Sequence, residues 1–215
     1  QDELLSWLND AQREVVLLRP DACAVNEAIP VSAGISRQTL PAAALKLIDI
    51  MRNVTVTETD AGEITVSGDA IRRIERRVLD DQVPGWHTET GSAVKHYVYD
   101  ERDPKSFYVY PALTGEGHIE GIYSSAPADV AVVTADATIS LDDIYANAIL
   151  DYVLYRAYSK DADYAANSQR AVGHYQAFMG SMGSTNQADT MTSMQGTTND
   201  GTPGNAVVPK PHRPQ

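Results

Sequence analysis

Hydrophobic positions repeat with a helical period at both ends of the chain and alternate in between. Leu4, Leu8, Ala11, Val15 and Leu18 lie along one face of a helix, which Pro20 ends. Pro41 sits where a first helical turn tolerates proline, and AAALKLIDIMRN then sets Ala44, Leu47, Ile48 and Met51 at helical spacing. That spacing predicts a second helix. VTVTET and EITVS alternate apolar and polar residues around Asp60-Ala61-Gly62, as a hairpin does. Asp69 is placed to cap a short helix carrying Ile71, Ile74 and Val78, closed by Pro84-Gly85.

Three strand-like runs follow, VKHYVYDE, SFYVYPAL and HIEGIYSS, with turns at Asp103-Pro104 and Gly115–Gly117. VAVVT adds a fourth, short edge strand, so sheet is expected over about 94–134. Ser140 and Asp143 form a capping-box-like start for LDDIYANAILDYVLYRAYS, a helix apolar on most sides and therefore one that needs neighbours. A helical segment over about 161–179 presents Tyr164, Ala171, Tyr175 and Phe178; whether it continues the preceding helix is left open. The fold class is α+β, a helical core packed with antiparallel strands and hairpins.

Composition divides the chain in two: a body over 1–179 and an extended arm over 180–215. Phe178 is the last aromatic residue, and from Gly180 the sequence turns to Gly, Ser, Thr, Asn and Pro. Such a stretch buries too little apolar surface to offset its ordering entropy. Extended at ~3.3 Å per residue, the 35 residues after Gly180 reach about 115 Å. Within the 215 residues, 17 Lys+Arg stand against 29 Asp+Glu, a net charge of −12 that argues against coating nucleic acid through phosphate contacts. No run approaches the roughly 18 apolar residues a membrane helix needs, so no membrane partner is expected. A single cysteine, Cys23, leaves no intrachain disulfide and no cysteine-based zinc site; it reads as a small structural residue. The chain opens on Gln1 with no basic-then-apolar leader, which leaves room for residues upstream.

Catalytic chemistry finds little support. There is no GxxxxGK[ST], HExxH or GxSxG motif, and Gly115-Glu116-Gly117-His118 lacks the third glycine of a dinucleotide loop. His87, His96, His118, His174 and His212 lie far apart, without ligand spacing, so neither a metal nor another cofactor is expected. The pairs Asp80-Asp81, Asp142-Asp143 and Asp161/Asp163 suit helix ends better than acid–base work. Asn53-Val54-Thr55 matches a glycosylation sequon by chance. One cluster stands out in so acidic a chain: Arg72, Arg73, Arg76 and Arg77, grouped on one side of the expected helix. It reads either as a docking patch for an acidic surface, including a second copy of this chain, or as a solvated face paired with Glu75, Asp80 and Asp81. Eleven Tyr against two Phe further suits a chain with interfaces. Trp7 and Trp86 are assigned to the core.

The blocks ELLSWLNDAQREVVLLRPDA, RRVLDDQVPGWH, YVYDERDPKSFYVYPAL and ISLDDIYANAILDYVLYRAYSKDADYAANSQRAVGHYQAF resemble the head-to-tail adaptor (connector) proteins of tailed bacteriophages, from Glu3 to Phe178. The resemblance implies a non-enzymatic virion component at the head–tail junction, made in the host cytoplasm. It implies a homo-oligomeric ring of about twelve copies under the portal protein, which extends the DNA channel and offers a platform to tail or nozzle proteins. Such a lumen passes DNA without binding it specifically: copies at −12 each repel the phosphate backbone. In the arm, Met182, Met191, Met194, Val207, Val208, Lys210 and Arg213 are the candidate portal contacts, and Arg72, Arg73, Arg76 and Arg77 the candidate subunit interface. The alternatives are a tail-completion or tail-tube ring of the same particle, a virion-associated hydrolase working through a carboxylate pair, and a monomeric binding module.

Overall fold

The computed structural model describes residues 2–59, 62–132, 137–160 and 165–198. Three helices come from the two ends of the chain: α1 (Asp2–Leu18), α3 (Ala146–Lys160) and α4 (Ala165–Thr198). Between them run ten strands, β1 (Ala24–Val31), β2 (Arg37–Thr39), β3 (Ala44–Thr59), β4 (Gly62–Ala70), β5 (Arg72–Arg73), β6 (Thr90–Gly91), β7 (His96–Val98), β8 (Ser106–Tyr110), β9 (Ala112–Leu113) and β10 (Gly117–Ser125), with a short helix α2 (Arg76–Gln82) after β5. The architecture is α+β.

One sheet has the order β1-β10-β3-β4 and is antiparallel throughout; a second has the order β2-β8-β7-β5, with β5 parallel to β7. β6 and β9 make a small parallel pair. Ile29, Val31, Ala44, Leu47, Ile50, Ile119 and Tyr123 of the first sheet share one apolar cluster with Tyr97, Phe107 and Val109 of the second, so the sheets form a sandwich. A separate cluster gathers Ala11, Val15 and Val16 of α1, Leu141, Tyr145, Ala148, Ile149 and Tyr152, and Phe178 and Met182 of α4. The chain therefore carries two main cores, one in the sandwich and one in the helical bundle.

The predicted helix over AAALKLIDIMRN is instead the first two-thirds of β3. Its register against β10 slips at three places, leaving Leu45, Ile48 and Met51 as extra residues. Each slip resets the two-residue alternation, so Ala44, Leu47 and Ile50 face the core at every third position. A thrice-bulged strand thus has nearly the spacing of a helix face. The β3–β4 hairpin forms as expected, with Thr59 opposite Gly62; Asp60 and Ala61 lie outside the described residues. Asp69 caps no helix. The backbone there belongs to sheet, since Ile71 N–H donates to the Met51 carbonyl (2.9 Å), Arg72 N–H to Lys95 (3.1 Å) and Ile74 N–H to Tyr97 (3.0 Å). Only at Arg76 does α2 begin.

The runs expected as β7, β8 and β10 are strands, and β1 to β3 extend the sheets well ahead of the expected 94–134. Val130–Val132 of the VAVVT run form no strand, and Val133 and Thr134 lie outside the described residues. The Asn9 amide occupies the Val130 backbone, accepting from its N–H (2.9 Å) and donating to its carbonyl (3.1 Å). Buried Gln12 accepts from Ser140 N–H (3.1 Å), so α1 holds the connection before α3 at Val130 and at Ser140. Ser140 is not the cap expected there; it accepts from Ala128 N–H, and Asp142 caps by accepting from Ile144 N–H (3.0 Å).

α3 and α4 are two helices packed antiparallel. Ring contacts pair Tyr152 with Phe178 (5.4 Å), Tyr155 with Tyr175 (5.0 Å) and Tyr158 with His174 (5.6 Å), and His174 Nδ1 lies 2.9 Å from Asp151. The boundary expected at 179/180 falls inside α4, which stays helical to Thr198; residues 199–215 lie outside the described residues.

Candidate interaction surfaces

Several of the polar residues that could have carried chemistry are engaged in holding the fold. Asp80 accepts from the Trp86 indole (2.9 Å) and pairs with Arg76 (3.3 Å); the indole bond, more than the arginine, holds its carboxyl below the ordinary range. Trp86 is fully buried beside Leu79 and Val98, whereas Trp7 is only half-buried. Asn53, the sequon residue, ties β3 to the segment ahead of β7 and to β4: its side-chain carbonyl accepts from Val94 N–H (2.9 Å), and its amide donates to the Val94 (2.8 Å) and Asp69 (3.0 Å) carbonyls. The histidines are dispersed: His87 stacks on Trp86, His96 on Tyr110 and His174 on Tyr158. His212 and the pair Asp161/Asp163 lie outside the described residues. Among the described residues no three His, Cys, Asp or Glu side chains converge as a metal site would require. Burial pushes the Cys23 thiol up, away from the reactive thiolate.

The four arginines do not share a helix face. Arg72 and Arg73 sit on β5 and so point to opposite sides, while Arg76 and Arg77 open α2. Arg73 lies over the Tyr99 ring (5.9 Å) between two grooves, one lined by Lys46, Ile48 and Asp21, the other by Arg76, Glu75, Asp100 and Tyr108. Arg76 is paired with Asp80; Arg72 and Arg77 are exposed with no ion pair among the described residues. The cluster is thus half a solvated, locally paired face and half unspent cation.

A second open surface is apolar and belongs to the bundle. On α3, Asp151, Tyr155 and Tyr158 turn toward α4, while Ala146, Ile149, Leu150 and Val153 lie on the opposite side of the helix at 100° per residue. The latter four form, with Leu4, Leu5 and Leu8 of α1 and Ile139, a groove of about 580 Å³. Leu4 and Leu150 are 52% and 55% exposed, and Ile144 nearby is 74% exposed. On α4, Val172, Tyr175 and Met179 form a second exposed stripe at i, i+3 and i+7. The all-round apolarity of α3 pointed to such faces; which side stays open depends on where α4 packs.

α4 also outruns α3. Its 34 residues span about 51 Å, against about 22 Å for the 15 of α3. Met182, one of the candidate portal contacts, is buried in the bundle cluster level with the start of α3. Residues 183–198 carry the helix about 24 Å beyond it, with Met191 and Met194 on that stretch. Val207, Val208, Lys210 and Arg213 lie outside the described residues. No described helix is long and apolar enough to cross a membrane.

The sequence profile of a bacteriophage structural family, that of the SU10 adaptor protein, matches residues 1–201. Comparison with curated proteins finds no match.

Proposed function

The chain belongs to the SU10 adaptor protein family, a family of structural virion components that contact other phage proteins, and on that premise we propose that it forms a ring of about twelve copies joining the portal to the tail and extending the DNA channel. The observation that carries this reading is the length of α4: 16 residues of helix continue past Met182, its last buried residue described. A helix gains most of its stability from tertiary contacts, so a stretch that runs on past the start of its antiparallel neighbour α3 suits a partner. The portal contact is assigned to this stretch, with Met191 and Met194, and the subunit interface draws on Arg72 and Arg77, whose charges are not spent within the described chain. A chain at −12 lines a conduit that DNA slides through.

Native mass spectrometry of the purified chain with and without a portal ring tests the reading. About twelve copies on each portal are expected. A chain that stays monomeric and ignores the portal overturns it, and a six-membered ring free of the portal would place the protein in the tail tube instead.

A further inference from the structure

Resting on the reading of the chain as one copy in a ring, we propose that the apolar groove between α1 and α3 receives residues 206–213 of a neighbouring copy. The groove is apolar, with Leu4 and Leu150 more than half exposed, Leu8 and Val153 half-buried and Ile149 buried beneath them, and an acidic pair adjoins it in the chain. Asp142 and Asp143, which lie in the chain between the lining residues Ile139 and Ala146, are exposed and have no ion pair among the described residues. An apolar groove this open marks a docking surface. The occupant that suits it carries a short apolar run followed by cations.

The C-terminal segment has that chemistry. After Asp200 the chain contains no acid, and its last 15 residues bring Lys210, His212 and Arg213 in a protein of net charge −12. Ala206-Val207-Val208 supplies the apolar run. Pro209 and Pro211 favour an extended backbone with no internal hydrogen bonds, which lies along a groove at little further ordering cost. Set with Val207 and Val208 on Leu150, the segment brings Lys210 and Arg213 toward the Asp142–Asp143 pair.

Reach favours a neighbour over the chain's own groove. Thr198 stands about 24 Å past Met182, beyond the start of α3. Nine residues from Thr198 to Val207 span about 30 Å when fully extended. Returning to its own groove would use nearly all of that length in a reversal and then require crossing α3. A neighbouring copy set alongside the end of α4 meets the segment without either. The contact is heterologous, tail to groove, the type that closes into rings.

Disulfide trapping in the full chain tests this. In a C23S background, the L150C/V207C double variant is oxidised, alone and on portal rings, and run without reductant. We expect an interchain ladder through trimers and above, while L150C or V207C alone stops at dimers. Adding D142K/D143K should cut the ladder several-fold, and K210E/R213E in the same chain should restore it. A monomer closed on itself, the absence of a ladder, or a ladder indifferent to the charge reversal overturns the proposal; a portal segment or the α4 stripe of another copy in the groove would give the second of these. If the ladder fails in a chain that still loads onto the portal, the docking alone falls. If loading fails, the ring reading falls with it.

Discussion

Truncating Phe178 to alanine should melt the bundle and spare the sandwich. Phe178 is fully buried, sits edge-on to Tyr152 at 5.4 Å and lies beside Tyr175 at 6.3 Å, at the point where α4 meets α3 and α1. Removing a buried phenylalanine costs about 3–5 kcal/mol in lost transfer energy and residual cavity. The bundle cluster and the sandwich cluster share no residue, so the loss falls on the bundle. Each unit has its own reporter, because Trp7 is on α1 and Trp86 is buried under the second sheet. In a W7F background Trp86 is the one tryptophan left, and its emission follows the sheets while ellipticity at the helix band follows the bundle. For units of this size 3 kcal/mol moves a midpoint by about 10–20 °C. The helix midpoint should fall by that much, and the Trp86 midpoint by about 2 °C or less. Equal shifts in the two signals would refute the separation, since they would make the chain a single cooperative unit.

Removing residues 184–215 should leave the bundle midpoint within about 2 °C of the full chain, because Met182 is the last buried residue described; cutting at 180 instead deletes Met182 and should cost about 2–5 kcal/mol in chemical denaturation. Asn53→Ala should destabilise the sandwich by about 1–3 kcal/mol, since Val94 N–H and carbonyl and the Asp69 carbonyl all lose a partner; urea midpoints read by Trp86 emission check it, and a neutral result would relocate the link between β3 and the segment ahead of β7. Burial, then the hydrogen bond to Glu27 (2.7 Å), pushes the Tyr123 phenol up to about 12 in the folded chain, from an ordinary value near 10. Its contribution is therefore complete below pH 10 and is lost as pH rises toward 12. Stability measured across that window should fall less steeply in Tyr123→Phe, and parallel profiles would remove Tyr123 from the account. R72E/R77E should weaken ring assembly most at low salt and flatten its salt dependence; unchanged assembly at every ionic strength would make both residues solvated.

How far the sequence reaches is visible in β3. Ala44, Leu47, Ile48 and Met51 have helical spacing, yet three bulges are what put Ala44, Leu47 and Ile50 inward at every third residue. Periodicity cannot separate the two cases, because a strand that slips every third residue has a period near that of a helix. A second signal was present. No glycine or proline interrupts residues 42–59, so a helix there would have had to pass straight into the VTVTET strand with no breaker. The arginines failed for a related reason: backbone donation from Ile71, Arg72 and Ile74 into the sheet fixes Arg72 and Arg73 as strand residues, and those acceptors, Met51, Lys95 and Tyr97, are distant in sequence. The C-terminal helices were legible as far as residue 179, because their apolar positions recur and their partners are one another; the continuation of α4 to Thr198 was not. Their open faces were not. The apolarity of α3 says that it has neighbours on several sides, but Asp151, Tyr155 and Tyr158 become inner residues only once α4 is laid along them. Ile149 and Leu150 become a groove only once Leu4 and Leu8 of α1 arrive from the other end of the chain. An interface is what folding leaves uncovered, so residues on the same helix with the same hydrophobicity differ in role by placement alone. A substitution such as Leu150→Asp should accordingly leave the chain folded and act on assembly, whereas the same change at Tyr152, two positions on, should act on folding.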